Sequence, residues 1–221
     1  MSGRPGRPGR LVAFEGLDGA GKSTQLHLLW QWLEAQGCRV ARRAWNSSPL
    51  VMDATIRGRN QRLLTPTIFS LIHSTDFADR YERETLPMLK GGWIVLCDRY
   101  VFTLMARDLV RDAHPEWIES LFSMGVVPDA VFYLRVSMLM LVERTLRSYG
   151  RLDYWESGMD LAVSRDWFDC FTHYQRRLGQ EFGRLQAGFG FQSVNADGSL
   201  QALQTELRSK VAEVLGVGVC G

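Results

Sequence analysis

Four residues near the amino terminus have the types and spacing of a phosphate-binding loop. Gly16, Gly21, Lys22 and Ser23 fit the pattern G-x-x-x-x-G-K-[ST]. Glycines leave backbone N–H groups free to surround phosphate oxygens, and Lys22 is expected to reach the terminal phosphates of a nucleotide. The hydroxyl of Ser23 is expected to bind Mg²⁺. The sequence therefore predicts a site for a nucleoside triphosphate with Mg²⁺.

The surrounding segments have the context that such a loop needs. It lies between a predicted strand, Leu11–Glu15, and a predicted helix, Lys22–Gln36. Further apolar runs predict strands at Arg39–Trp45, Trp93–Cys97, Ala130–Val136 and Phe189–Asn195. Helical spacing predicts helices at Pro66–Lys90, Ser137–Arg147 and Leu161–Leu185, with a last helix after Ser199. This alternation is typical of an α/β fold with a five-stranded parallel sheet flanked by helices.

Composition limits the classes of protein that fit. The 221 residues are 46% hydrophobic and 23% charged, which is typical of a globular domain with a full core. We predict one domain at residues 11–216 after a disordered basic tail at residues 1–10. A net charge of +2 predicts no nucleic-acid partner, and no apolar run is long enough for a membrane span. Four scattered cysteines fit a reducing compartment, so a cytoplasmic protein is expected.

Two polar segments, Asp98-Arg99-Tyr100 and Asn195-Ala196-Asp197, follow predicted strands and are expected to meet the phosphate-binding loop at one edge of the sheet. Asp98 ends the third strand, where phosphate-loop enzymes have a carboxylate near Mg²⁺. Its neighbour Arg99 suits the phosphoryl group of a second molecule, the acceptor, with a surface ion pair as the alternative.

A polar segment at residues 148–160 is predicted to be a mobile lid. Arg144, Arg147 and Arg151 lead into it, and a closing arginine stabilises the charge that phosphoryl transfer develops. Arg151 fits this role best because it follows Gly150, with a solvated helix face as the alternative.

Several motifs together resemble the thymidylate kinase family of nucleoside monophosphate kinases. They are the loop Phe14–Thr24, the strand-end triplet Asp98-Arg99-Tyr100, the helix triplet Ala78-Asp79-Arg80 and the pair Pro128-Asp129. The similarity extends over about residues 11–215. It implies the three-layer phosphate-loop kinase fold, ATP-dependent phosphorylation of dTMP to dTDP with Mg²⁺, and a possible homodimer.

The resemblance also implies roles for individual residues. ATP-binding residues would be Gly16, Leu17, Asp18, Gly19, Ala20, Gly21, Lys22, Ser23, Thr24, Asn195 and Ala196. Catalytic residues would be Lys22, Arg99, Asp18, Asp98, Arg151 and Arg147, with Ser23 and Asp98 holding the metal. The acceptor would be bound by Arg80, Arg99 and Tyr100, and we expect Phe77, Asp76 and Arg107 to lie in the same pocket, although Phe77 is one position from the family's stacking phenylalanine.

Two acceptor positions depart from the family's pattern. Asp76 replaces a stacking phenylalanine, and Arg107 replaces an aromatic or polar contact near the sugar. The two residues either pair with each other and reshape the pocket or bind a different acceptor. The alternatives to a dTMP kinase are a kinase for another nucleotide or nucleoside, and a nucleotide-binding switch or interaction module.

Overall fold

The computed structural model describes residues 8–149 and 154–216, and these ranges contain a five-stranded parallel sheet. The strands are β1 (Arg10–Glu15), β2 (Val40–Ala44), β3 (Ile94–Asp98), β4 (Ala130–Arg135) and β5 (Gln192–Asn195). Their spatial order is β2-β3-β1-β4-β5, so β1 is central. The predicted α/β fold is confirmed, and residues 1–7 of the predicted tail lie outside the described residues.

The central strand is buried on both faces. Leu11 to Phe14 are fully buried, and Val12 is paired with Leu96 of β3 on one side and Ala130 of β4 on the other. Such a continuous apolar run is typical of parallel strands covered by helices on both sides. Arg10, which the prediction assigned to the tail, is the first residue of β1.

Helices connect the strands. Their bounds are α1 (Lys22–Ala35), α2 (Met52–Asn60), α3 (Pro66–Arg80), α4 (Leu86–Lys90), α5 (Val101–Val110), α6 (Pro115–Leu121), α7 (Met138–Tyr149), α8 (Trp167–Phe189) and α9 (Leu200–Leu215). A short 3₁₀ helix lies at Met159–Leu161. Within the described ranges, no helix has the length and hydropathy that a membrane span requires.

Two helix predictions and one strand prediction differ from the structure. The predicted helix Pro66–Lys90 contains a π-helical turn at Tyr81–Thr85, because Pro87 has no N–H to continue the α-helical ladder. Helix α8 begins later and ends later than predicted, since the Asp166 side chain caps its start and Gly190 ends it with a φ of 68°. Strand β5 is therefore shorter than predicted.

Candidate functional site

The phosphate-binding loop joins β1 to α1 and depends on its glycines. Gly16 has a φ of 145°, and a Cβ there would lie 2.8 Å from the carbonyl oxygen of Leu134. The Lys22 ammonium donates to the carbonyl oxygens of Gly16 at 2.9 Å and Leu17 at 2.7 Å. Burial, with the charge of Arg99, lowers the pKa of Lys22 to about 7. A phosphate bound in this loop would therefore stabilise the charged form of Lys22.

Ser23 and Asp98 meet at the carboxyl edge of the sheet. The Ser23 hydroxyl donates a hydrogen bond to the Asp98 carboxylate, and both residues line the cleft above the loop. These are hard oxygen ligands, which suit Mg²⁺ held by one or two protein oxygens together with phosphate oxygens. The described residues contain no cluster of three or more His, Cys, Asp or Glu that would hold a metal without such phosphates.

Asp18 is the anion around which the site's arginines gather. Its carboxylate forms an ion pair with Arg99, and it accepts from Arg107 at 2.8 and 3.0 Å. Burial disfavours the charged carboxylate, yet Arg107 and then Arg99 hold the pKa of Asp18 well below its usual range. Arg99 also donates to the Gly16 carbonyl at 3.3 Å. The predicted catalytic residues Lys22, Asp18 and Arg99 therefore lie together.

An open cleft of about 540 Å³ lies above the loop. It is lined by residues 18–25 and by side chains or backbone of Ala44, Trp45, Asp98, Arg99, Arg144, Glu156, Ala196, Gly198, Leu200 and Leu203. Ala196 lines the cleft as predicted. Asn195 is exposed, and its side-chain oxygen accepts from the backbone N–H of Asp197 at 3.1 Å.

The arginine of α7 that reaches the cleft is Arg144. Its guanidinium donates to the carbonyl oxygen of Ala196 at 2.8 Å. Arg147, which the prediction also assigned to catalysis, has a side chain 78% exposed and pairs with Glu143 at 2.7 Å instead of lining the cleft. Arg151 lies outside the described residues.

The acceptor side is organised by Asp76, which is buried. Its carboxylate accepts from Arg80 at 2.6 and 3.0 Å, and from the backbone N–H groups of Asn46 at 2.9 Å and Ser48 at 2.8 Å. The hypothesis that Asp76 pairs with Arg107 is wrong, because Arg107 pairs with Asp18. Asp76 instead holds the turn after β2.

That turn follows Trp45, a half-buried residue whose ring lies between the two halves of the site. The ring stacks on His73 with centroids 5.2 Å apart, and the Arg107 guanidinium lies 4.7 Å from its centroid. Trp45 also lines a small cavity of about 10 Å³ together with Phe77, Arg80, Tyr81, Thr85, Cys97, Arg99, Tyr100 and Leu104. The predicted acceptor residues Phe77, Arg80, Arg99 and Tyr100 thus surround one space.

The carboxyl-terminal part of the predicted lid packs against the acceptor side. Trp155 is buried, stacks on Phe69 and donates to the carbonyl oxygen of Arg59 at 3.2 Å. Asp160 pairs with the buried Arg111 at 2.7 Å. Residues 154–160 are therefore anchored to the body of the fold, and residues 150–153 lie outside the described residues.

Sequence reasoning assigned no role to two residues that contribute to this site. Trp45 lines the cleft, and Glu15 supports the segment that carries Arg99. Glu15 lies within the loop motif Phe14–Thr24, but the pattern alone does not show which backbone groups its carboxylate binds. Nothing in the sequence pattern distinguishes Trp45 from a core tryptophan.

Comparisons with known proteins agree with this geometry. The family model described as "Thymidylate kinase" matches residues 14–157. A protein of Saccharolobus solfataricus named "Probable thymidylate kinase 2" is 37% identical over 94% of this chain and 97% of its own length. "Thymidylate kinase" of Akkermansia muciniphila is 31% identical over 73% of this chain and 79% of its own length. "Probable thymidylate kinase" of Pyrococcus abyssi is 25% identical over 95% of this chain and 99% of its own length.

The Asp76–Arg80 pair has a matched control in Glu143–Arg147, since both pairs join residues four apart on a helix. We expect Asp76→Ala to lower the free energy of unfolding by about 3 kcal/mol, because it leaves Arg80 buried without its carboxylate. Glu143→Ala is expected to change it by less than about 0.5 kcal/mol, since that pair is exposed. Urea denaturation measures both, and equal losses would contradict the role of Asp76.

Proposed function

Because this chain belongs to the thymidylate kinase family, we propose that it transfers the γ-phosphoryl group of ATP to dTMP and yields ADP and dTDP. The observation that carries the proposal is the position of Arg99. Its guanidinium lies 3.3 Å from the Gly16 carbonyl of the phosphate loop and also lines the acceptor-side cavity. A cation between two anion sites suits a reaction that transfers a phosphoryl group from one phosphorylated molecule to another.

On the donor side, residues 16–24 surround the phosphates of ATP, and Asn195 and Ala196 lie beside the adenine. Lys22 contacts the β- and γ-phosphates in place of its present carbonyl partners. Ser23 and Asp98 hold Mg²⁺, since their oxygens are adjacent in the cleft. Bound Mg²⁺ neutralises charge on the phosphates.

In the transfer step, a phosphate oxygen of dTMP forms a bond to the γ-phosphorus while the bond from that phosphorus to the β–γ bridging oxygen breaks. Negative charge spreads over the transferred group, and preorganised cations stabilise it. Lys22 provides one cation on the donor side, and Arg99 provides another on the acceptor phosphate. Arg151 of the predicted lid is a further contributor in this proposal, whereas Arg147 is exposed outside the cleft and Arg144 is the α7 arginine that already lines it.

The base of the acceptor is proposed to enter between Trp45 and the side chains of Phe77 and Arg80. The present cavity of about 10 Å³ has room for about one water molecule. Binding of a base therefore requires a side chain that lines the cavity to move, and we propose that this is the half-buried Trp45. Asp76 holds the turn that follows Trp45, so the ring is expected to rotate while this stretch of backbone stays in place.

The proposal is tested by ADP release from ATP and Mg²⁺ with a panel of nucleoside monophosphates, with thymidine, and without an acceptor. We expect release with dTMP and negligible release with thymidine, because Arg99 needs the acceptor's phosphate.

Lys22→Met should lower kcat at least about a hundredfold, whereas Lys90→Met, at an exposed position of α4, should leave it unchanged.

Other results of the same assay would overturn the proposal. Release with a different monophosphate alone would assign another nucleotide as the acceptor. Release with thymidine alone would indicate a nucleoside kinase. Equal release without any acceptor would favour a hydrolytic switch.

Nucleotide binding should also take up a proton at Lys22. The pKa of Lys22 is about 7 in the free protein, and phosphates beside its ammonium raise it. At pH 8 the free lysine is mostly neutral, so we expect uptake of nearly one proton, falling toward zero at pH 6. Calorimetry in buffers of different ionisation enthalpy measures this uptake, with Lys22→Met as the variant that should lose it. Equal uptake at both pH values would contradict the assignment.

A further inference from the structure

We propose that Glu15, a residue outside the predicted site, is a positioning residue that sets the guanidinium of Arg99 through the hydroxyl of Thr103. This inference rests on the proposed function in one respect, that Arg99 holds the acceptor phosphate. Glu15 ends β1 and is fully buried directly before the phosphate loop. A buried carboxylate needs partners that repay its lost hydration, so its contacts indicate its role.

The first function of Glu15, the last residue of strand β1, is to cap the amino-terminal end of helix α5. Its Oε1 accepts from the backbone N–H groups of Tyr100 at 2.9 Å and Thr103 at 3.3 Å. These N–H groups lie at the start of α5, where an intrahelical acceptor is lacking, and α5 has no side-chain cap of its own. Strand β1 therefore fixes the start of the helix that follows Arg99.

Arg99 needs such support because its backbone is in the left-handed region, with a φ of 72°. Residues other than glycine adopt this conformation only when their surroundings impose it. The N–H of Arg99 donates to the carbonyl oxygen of Phe14 at 3.0 Å, and the next N–H is held by Glu15. Consecutive residues of β1 thus hold consecutive residues of the turn.

The second function of Glu15 is to orient a hydroxyl toward the Arg99 side chain. Thr103 Oγ1 forms a hydrogen bond with Glu15 Oε2 and lies 3.3 Å from Arg99 Nη1. An ionised carboxylate only accepts, so the hydroxyl donates its proton to Glu15 and presents a lone pair to Arg99. The carboxylate therefore determines which way this hydroxyl faces.

The protonation state of Glu15 sets the conditions for a test. Burial raises the pKa of Glu15 to about 7, although the Thr103 and Tyr100 hydrogen bonds oppose the rise. Measurements at pH 8 keep the carboxylate ionised. Glu15→Gln keeps the size of the side chain but removes one acceptor. If its amide N–H₂ faces Thr103, the hydroxyl must turn its proton toward Arg99.

The test compares Glu15→Gln, Thr103→Val and the double variant by calorimetric titration with dTMP and, separately, with ATP, at pH 8. We expect each single change to raise the Kd for dTMP about tenfold. The double change should raise it no further, because both changes break the same pair of hydrogen bonds, between Thr103 and Glu15 and between Arg99 and Thr103. The Kd for ATP should stay within about twofold. Thr103→Ser keeps the hydroxyl and should bind dTMP as the unmodified chain does.

Asp129→Asn is the matched control for a structural effect. Asp129 is also a carboxylate that accepts a hydrogen bond from β1, from the Leu11 N–H at 2.8 Å. It lies at the amino ends of the strands, whereas Glu15 lies at their carboxyl ends. We expect this variant to lower Tm without changing the Kd for dTMP. If Glu15→Gln does not fold, Thr103→Val decides, since it leaves the carboxylate in place.

Two results would overturn the positioning role. One is a Kd for dTMP in Thr103→Val within twofold of the unmodified chain, and the other is a multiplicative loss in the double variant. A chain that binds dTMP but does not phosphorylate it would contradict the proposed function instead. The Kd comparison would still decide the role of Glu15.

Discussion

The charge of one carboxylate, Asp18, holds two arginines of the site together before any substrate binds. Lys22, Arg99 and Arg107 converge on the carboxyl edge of the sheet, and two of them pair with Asp18. Like charges that are partly removed from water repel strongly, so their assembly requires an anion. Asp18 supplies that anion while the phosphates are absent. The Asp18 carboxylate thus provides, in the free protein, negative charge that the substrate phosphates provide when they bind.

The parallel sheet brings these groups together from distant parts of the sequence. Strand β1 provides Glu15 and leads into the loop, β3 provides Asp98 and leads into Arg99, and β5 leads into Ala196. Ligands of such sheets bind beyond the carboxyl ends of the strands. The same arrangement explains the support of Arg99, since neighbouring strands β1 and β3 are in register up to Phe14 and Asp98.

The sequence predicted the parts of this structure that depend on local pattern. The loop and the five strands follow from spacing and apolar runs, which the structure confirms. Helix α2 was missed because only Thr55 and Gly58 of its residues are buried, so it has no apolar periodicity. The partner of Arg107 was also missed, because its ion pair with Asp18 joins side chains 89 residues apart in the sequence. The homodimer and the roles of the lid arginines stay predictions.

Arg99 is assigned here to the acceptor and not to the nucleotide donor. Isothermal titration of Arg99→Ala with dTMP and, separately, with ATP measures this directly, with Arg177→Ala, whose ion pair to Asp112 lies on the surface, as the control. We expect the Kd for dTMP to rise at least about tenfold, which corresponds to the loss of one charge-assisted hydrogen bond, while the Kd for ATP changes by less than about threefold. An unchanged Kd for dTMP, or an equal loss for both ligands, would contradict the assignment of Arg99 to the acceptor.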